Sequence, residues 1–114
     1  MADTYDFTIE QGTDVQFVVT YKDDDGNPIN LSGYTARMKI KKSIGGTTVL
    51  SLTNGSGITL GGALGTVTVD ITNTQTKAMD FTIAVYDLEI ISGASKVTRL
   101  LQGSITLSKE ITDE

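Results

Sequence analysis

The densest run of side chains able to do chemistry is Asp23-Asp24-Asp25-Gly26-Asn27. Hard cations such as calcium want several carboxylate oxygens close together, and this turn offers three carboxylates. Laid on the EF-hand spacing, Gly26 takes the sixth position and Asp23 and Asp25 the third and fifth. Tyr21 and Ser32 then fall on the first and twelfth positions, where carboxylates are required. The segment fails that test and reads as a solvated hairpin turn. Asp87 and Glu89, two apart, share one side of any strand and imitate a catalytic carboxylate pair. Glycosidases set their two carboxylates across a cleft and raise one pKa by burial, and neighbours on an exposed strand face do neither. Gly55, Gly57, Gly61, Gly62 and Gly65 imitate a phosphate-cradling loop, yet they lead into a strand with no lysine in place. Histidine and cysteine are both absent, which removes imidazole acid–base catalysis, thiol nucleophiles, disulfides and imidazole or thiolate metal sites. Serine and threonine are plentiful, without a triad or a Gly-x-Ser-x-Gly elbow. The residues predict a protein that is not an enzyme and holds no metal or cofactor.

Charge narrows the partners. With 14 acids against 9 bases, the net charge is −5. A nucleic-acid binder needs a basic surface to displace counterions, so this balance points away from nucleic acid. Lys39, Lys41 and Lys42, with Arg37 nearby, form a basic cluster that reads as the solvated face of a strand. No segment approaches 18 apolar residues, so no membrane-spanning helix is expected. The acidic start Met1-Ala2-Asp3-Thr4-Tyr5-Asp6 lacks the apolar stretch of a secretory signal.

The elements that must position these side chains are strands. Thirty-seven of the 114 residues are valine, isoleucine or threonine, whose branched side chains suit a pleated surface and crowd a helix. Tyr5, Phe7 and Ile9 alternate with polar residues, as do Val15, Phe17, Val19 and Tyr21. After the acidic turn, Ile29 and Leu31 read as apolar plugs, and Tyr34, Ala36, Met38 and Ile40 as the buried row of a half-buried strand. Gly45-Gly46 reads as the turn into a strand over Thr47 to Leu52, and Asn54-Gly55-Ser56-Gly57 as a second break. A short strand at Ile58 to Leu60 precedes Val67, Val69 and Ile71 in alternation. Thr72 to Met79 is the one plausible helical piece, with Thr74 as a candidate cap for a single turn near 74–79.

Phe81 to Ile91 reads as the longest strand, with Ala84, Tyr86, Leu88 and Ile90 facing inward and Asp87 and Glu89 facing water. Ile83 and Val85 lie on its outward row, which fits a central strand, a register-swapping bulge or a docking patch. Ser92-Gly93-Ala94-Ser95 turns into a return strand from Lys96 to Ser108, where adjacent Leu100 and Leu101 followed by Gly103 suggest a bulge. Seven or eight short strands with turns at this spacing predict an all-β, antiparallel β-sandwich. One domain is expected over residues 1–114, with its core at about 5–108 and a short acidic tail at 109–114.

Several segments carry a family resemblance. They are Phe7-Thr8-Ile9-Glu10-Gln11-Gly12-Thr13-Asp14, the connection Asp25-Gly26-Asn27-Pro28-Ile29-Asn30-Leu31-Ser32-Gly33-Tyr34, and the strand Ala36-Arg37-Met38-Lys39-Ile40-Lys41 directly after it. Leu64-Gly65-Thr66-Val67-Thr68-Val69, Tyr86-Asp87-Leu88-Glu89 and Val97-Thr98-Arg99-Leu100-Leu101-Gln102-Gly103-Ser104-Ile105 follow in order. Together they resemble the immunoglobulin-like domain at the N-terminus of phage baseplate upper proteins, and the small stand-alone tail proteins related to it.

That resemblance implies an immunoglobulin-like sandwich and a non-enzymatic structural role in a tailed-phage virion, as a tail or baseplate adaptor or connector. The implied partners are tail, baseplate or fibre proteins, in a symmetric assembly of many copies, and the implied location is the virion after synthesis in the host cytoplasm. One alternative is a capsid decoration protein on the head exterior, bound to the major capsid protein. Another is a carbohydrate-binding or adhesion module. Sugar binders usually present aromatic platforms, whereas this chain has no tryptophan and most of its Tyr and Phe lie in the alternating core rows. The expected protein-contact residues are Tyr5, Phe7, Lys39, Lys41, Lys42, Ile83 and Val85.

Overall fold

Side chains that alternate between apolar and polar hold the backbone extended wherever they recur, and the computed structural model, which describes residues 3–109 and 111, is all-β. Its strands are β1 (Asp3–Thr4), β2 (Phe7–Glu10), β3 (Val15–Thr20), β4 (Thr35–Lys41), β5 (Thr48–Asn54), β6 (Gly57–Leu60), β7 (Thr66–Ile71), β8 (Ile83–Ile91) and β9 (Val97–Ser108). A five-residue helix, α1 (Asn73–Lys77), separates β7 from β8, and a 3₁₀ turn at Gly62–Leu64 precedes β7. Met1, Ala2, Glu110 and residues 112–114, which include most of the expected acidic tail, lie outside the described residues.

The strands form one hydrogen-bonded path in the order β1, β9, β8, β4, β5, β6, β7, β3, with β2 also on β9. This sheet curls into a half-barrel. The corner lies between β5 and β6, which pair in parallel through two residue pairs, Thr53 with Gly57 and Asn54 with Ile58. Gly57 takes φ +96° there, and a Cβ on it would come within 2.5 Å of Leu52 Cδ2. Only glycine turns the chain this sharply against that neighbour.

Two expectations need correction. The pairing is not purely antiparallel, because β1 and β2 both run parallel to β9. The chain parts at Gln11–Asp14 instead of closing a hairpin, so β2 joins β9 while β3 joins β7, and β2 is free to run alongside its new neighbour. The helical content is also larger than one turn. The Gly61–Gly65 run supplies a 3₁₀ turn, and α1 is capped by Thr72 in place of Thr74. Thr72 wins because Gln75 sits three residues on. The Thr72 hydroxyl accepts from Gln75 N while Gln75 Oε1 accepts from Thr72 N, a reciprocal capping box.

The buried row is the one the period of two predicts. Ala36, Met38 and Ile40 from β4, Ala84, Tyr86, Leu88 and Ile90 from β8, and Val67, Val69 and Ile71 from β7 line a shared core. Leu31 plugs it from the β3–β4 connection, fully buried, while Ile29 is partly buried. β8 is a central strand between β9 and β4 and keeps its inward row from Ala84 to Ile90. The bulge lies opposite, on β9, where Leu88 pairs with Leu101 and Glu89 with Arg99, leaving Leu100 as the extra residue. Gly103 has a different job. A Cβ there would lie 2.3 Å from the Tyr5 carbonyl oxygen, so it admits the chain that runs close beside β9 between β1 and β2.

Candidate functional site

The outward rows of β4, β8 and β9 lie side by side in register. Arg37 faces Glu89, Lys39 faces Asp87 and Lys41 faces Val85 across β4 and β8. On the other side Glu89 faces Arg99 across β9. Arg99 reaches this face because of the bulge: Arg99 and Leu101 are two apart, yet Arg99 points outward and Leu101 into the core. These rows and the Ser43–Gly46 turn enclose an open groove of about 700 Å³.

The groove is only partly neutralised. Arg37 Nε donates to Glu89 Oε1 at 2.8 Å, and Arg99 Nε lies 3.5 Å from Asp87 Oδ2 and 3.9 Å from Glu89 Oε2. Both arginine side chains are about half exposed, so these pairs are screened and hold the face in shape more than they stabilise the fold. No carboxylate among the described residues forms an ion pair with Lys39 or Lys41. Four cations against two carboxylates leave the groove at +2, and since the whole chain is −5, the remainder stands at −7. Apolar surface is also present. Val85 lies in the floor, and Ile44 stands at the rim, 93% exposed.

Three of the seven nominated contact residues, Lys39, Lys41 and Val85, meet in this groove. Ile83 continues the same outward row of β8 and is 58% exposed. Lys42 lies just past β4, with its backbone N–H on Thr47 O. Tyr5 and Phe7 lie elsewhere, in an aromatic cluster over the gap between β2 and β3. Their rings stack at 5.4 Å, and Phe7 packs on Phe17 at 5.5 Å and on Tyr86 at 5.3 Å. Phe7 is partly buried against the core, and Tyr5 is 48% exposed. Sequence reasoning passed over Ile44 and Arg99. An isoleucine inside a Ser-Ile-Gly-Gly turn was a readable signal for the first, and the adjacent leucines at the bulge were a signal for the second.

The acidic turn has a built internal structure. Asp23 Oδ1 accepts from the backbone N–H groups of Asp25 and Asn27, both at 2.9 Å, which closes the turn on itself. Among the described residues no three His, Cys, Asp or Glu side chains are arranged to hold a metal ion. Asp87 and Glu89 share the groove with Arg37 and Arg99, which makes them parts of a charged ladder across the strands. Chemically, the face suits contact with an acidic surface that also carries some apolar area. No protein-family model matches this chain, and no curated protein matches it.

Proposed function

We propose that this chain is a non-enzymatic structural component of a tailed-phage virion, an immunoglobulin-like module that serves in many copies as a tail or baseplate adaptor. The reading starts from the family resemblance, and fold likeness alone does not fix a function. The observation that carries it is the Asp25–Tyr34 connection, in which three residues of the shared pattern have a defined structural place. Gly26 and Gly33 take φ of +84° and +82°, and Leu31 is buried in the core. The strands on either side of the two-pair β5–β6 link bury their inner rows in one core, which supports relating the curled sheet to a sandwich.

Repeated copies around a symmetric axis need a rigid module with defined contact surfaces. The Ile83–Val85 row and the groove beside it supply one candidate. The outer strand β3, at the end of the sheet with Val18 56% exposed, supplies another through strand addition. Quantitative mass spectrometry of purified particles of the phage that encodes the chain tests the assignment. A copy number in threefold or sixfold multiples per particle supports a tail or baseplate place. Hundreds of copies make the chain a head decoration protein, and its absence from particles overturns the virion reading.

A further inference from the structure

We infer that the basic groove of β4, β8 and β9 is a docking site for the acidic turn Asp23–Asn27 of a second copy of this chain, in a head-to-tail contact. The proposal does not rest on the virion reading.

The groove is a net-positive surface on a net-negative chain, and the charge that remains unpaired in it belongs to Lys39 and Lys41. Asp23, Asp24 and Asp25 are consecutive and exposed. Because Asp23 is engaged with the backbone of its own turn, Asp24 and Asp25 are the carboxylates presented by a preformed tip. A tip that is already ordered loses little conformational entropy on docking.

The apolar parts also correspond. Pro28, at the base of the turn, is exposed, as is Ile44 at the groove rim.

Topology prevents a chain from satisfying this contact with its own turn. The turn follows β3 at Thr20, and Ile29 N donates to Tyr21 O at its base. Leu31 N donates to Gly62 O, and Tyr34 N to Leu31 O, which brings the chain to the start of β4. The turn therefore projects from the end of the sheet where β4 begins. Lys41 closes β4 at the other end, six residues after Thr35, or about 20 Å along the strand. A contact between opposite ends of two copies uses different surfaces on each, so it repeats, closing into a ring or running on as a filament.

Sedimentation velocity of the full chain over a concentration series tests the contact, run at about 20 mM and about 500 mM salt so that charge screening goes from long-ranged to a few ångströms. Association at low salt that is lost at high salt is expected. Lys39→Glu/Lys41→Glu and Asp24→Lys/Asp25→Lys should each be monomeric under the low-salt condition. All four residues are on the surface, and circular dichroism checks that each variant keeps its strands. Mixed in equal amounts, the two variants should associate again, because the acidic turn of one meets the basic groove of the other and the reversed turn meets the reversed groove. A wild-type chain that stays monomeric at low salt overturns the proposal. So does an Asp24→Lys/Asp25→Lys variant that associates like wild type, or a mixture that stays monomeric.

Discussion

The Tyr86 hydroxyl, on the central strand β8, donates a 2.5 Å hydrogen bond to the backbone carbonyl of Tyr5, 81 residues away. This bond fixes the N-terminal segment where it runs along β9 between β1 and β2. Tyr5 N donates in turn to Gln102 O, and Asp6 Oδ1 accepts from Ser104 N. Tyr86→Phe keeps the ring and removes the donor, so it should lower stability by about 1 kcal/mol in a urea titration.

Tyr86 also predicts a pH dependence. Burial, with Tyr5 and Asp6 beside it, raises the ionisation of this phenol above the ordinary tyrosine range. An unfolded tyrosine ionises near pH ~10. Above that pH the unfolded chain loses a proton that the folded chain still holds, so the contribution is complete below pH ~10 and declines as the pH rises further. Urea midpoints measured at rising alkaline pH should fall more steeply for the wild type than for Tyr86→Phe.

Thr76 on α1 is fully buried, and its Oγ1 serves both partners of the β2–β3 turn. It donates to Thr13 O at 2.8 Å and accepts from Gly12 N at 3.0 Å. Thr76→Val keeps the shape and strands both backbone groups, at a cost of about 1–3 kcal/mol in thermal or urea unfolding. Thr76→Ser should recover most of that loss.

Gly103→Ala places a methyl group against the Tyr5 carbonyl and the Asp6 carboxylate. The Tyr5–Asp6 segment must move, at a cost of about 1–3 kcal/mol. Hydrogen exchange by NMR should show earlier exchange of the Tyr5 and Ser104 amides, while the β4–β8 ladder keeps its protection.

Glu89→Gln is expected to be nearly silent in stability. Its partner Arg37 is half exposed, and pairs of that kind are worth about 1 kcal/mol or less. The same change raises the net charge of the groove to +3, so it should tighten the association between copies at low salt.

Much of the core could be read from alternation alone, because period two is dictated by the pleat. Ala36, Met38, Ile40, Ala84, Tyr86, Leu88 and Ile90 are buried as their spacing demands. The direction of β1 and β2 could not be read that way. Alternation is identical for parallel and antiparallel neighbours, and the pairing partner of β2 lies nearly a hundred residues away on β9.

The groove was legible only in pieces. Lys39 and Lys41 stand out by composition, and Val85 by being apolar on an outward row. What brings Arg99 beside Glu89 is the extra residue at Leu100, which moves every later side chain of β9 to the other face. Ile44 escapes the alternation rule because it belongs to a turn. The aromatic contact of Phe7 with Phe17 depends on two strands parting at Gln11–Asp14, a tertiary event without a local signature.

Cryo-electron microscopy of purified particles, at a resolution that traces this chain, locates it and its contacts together. Density for the half-barrel is expected in the tail or baseplate, repeated around the symmetry axis, with Lys39 and Lys41 facing the Asp23–Asn27 turn of an adjacent copy. Particles that lack the chain, or copies whose β4–β8–β9 face stands open to solvent, would contradict that expectation.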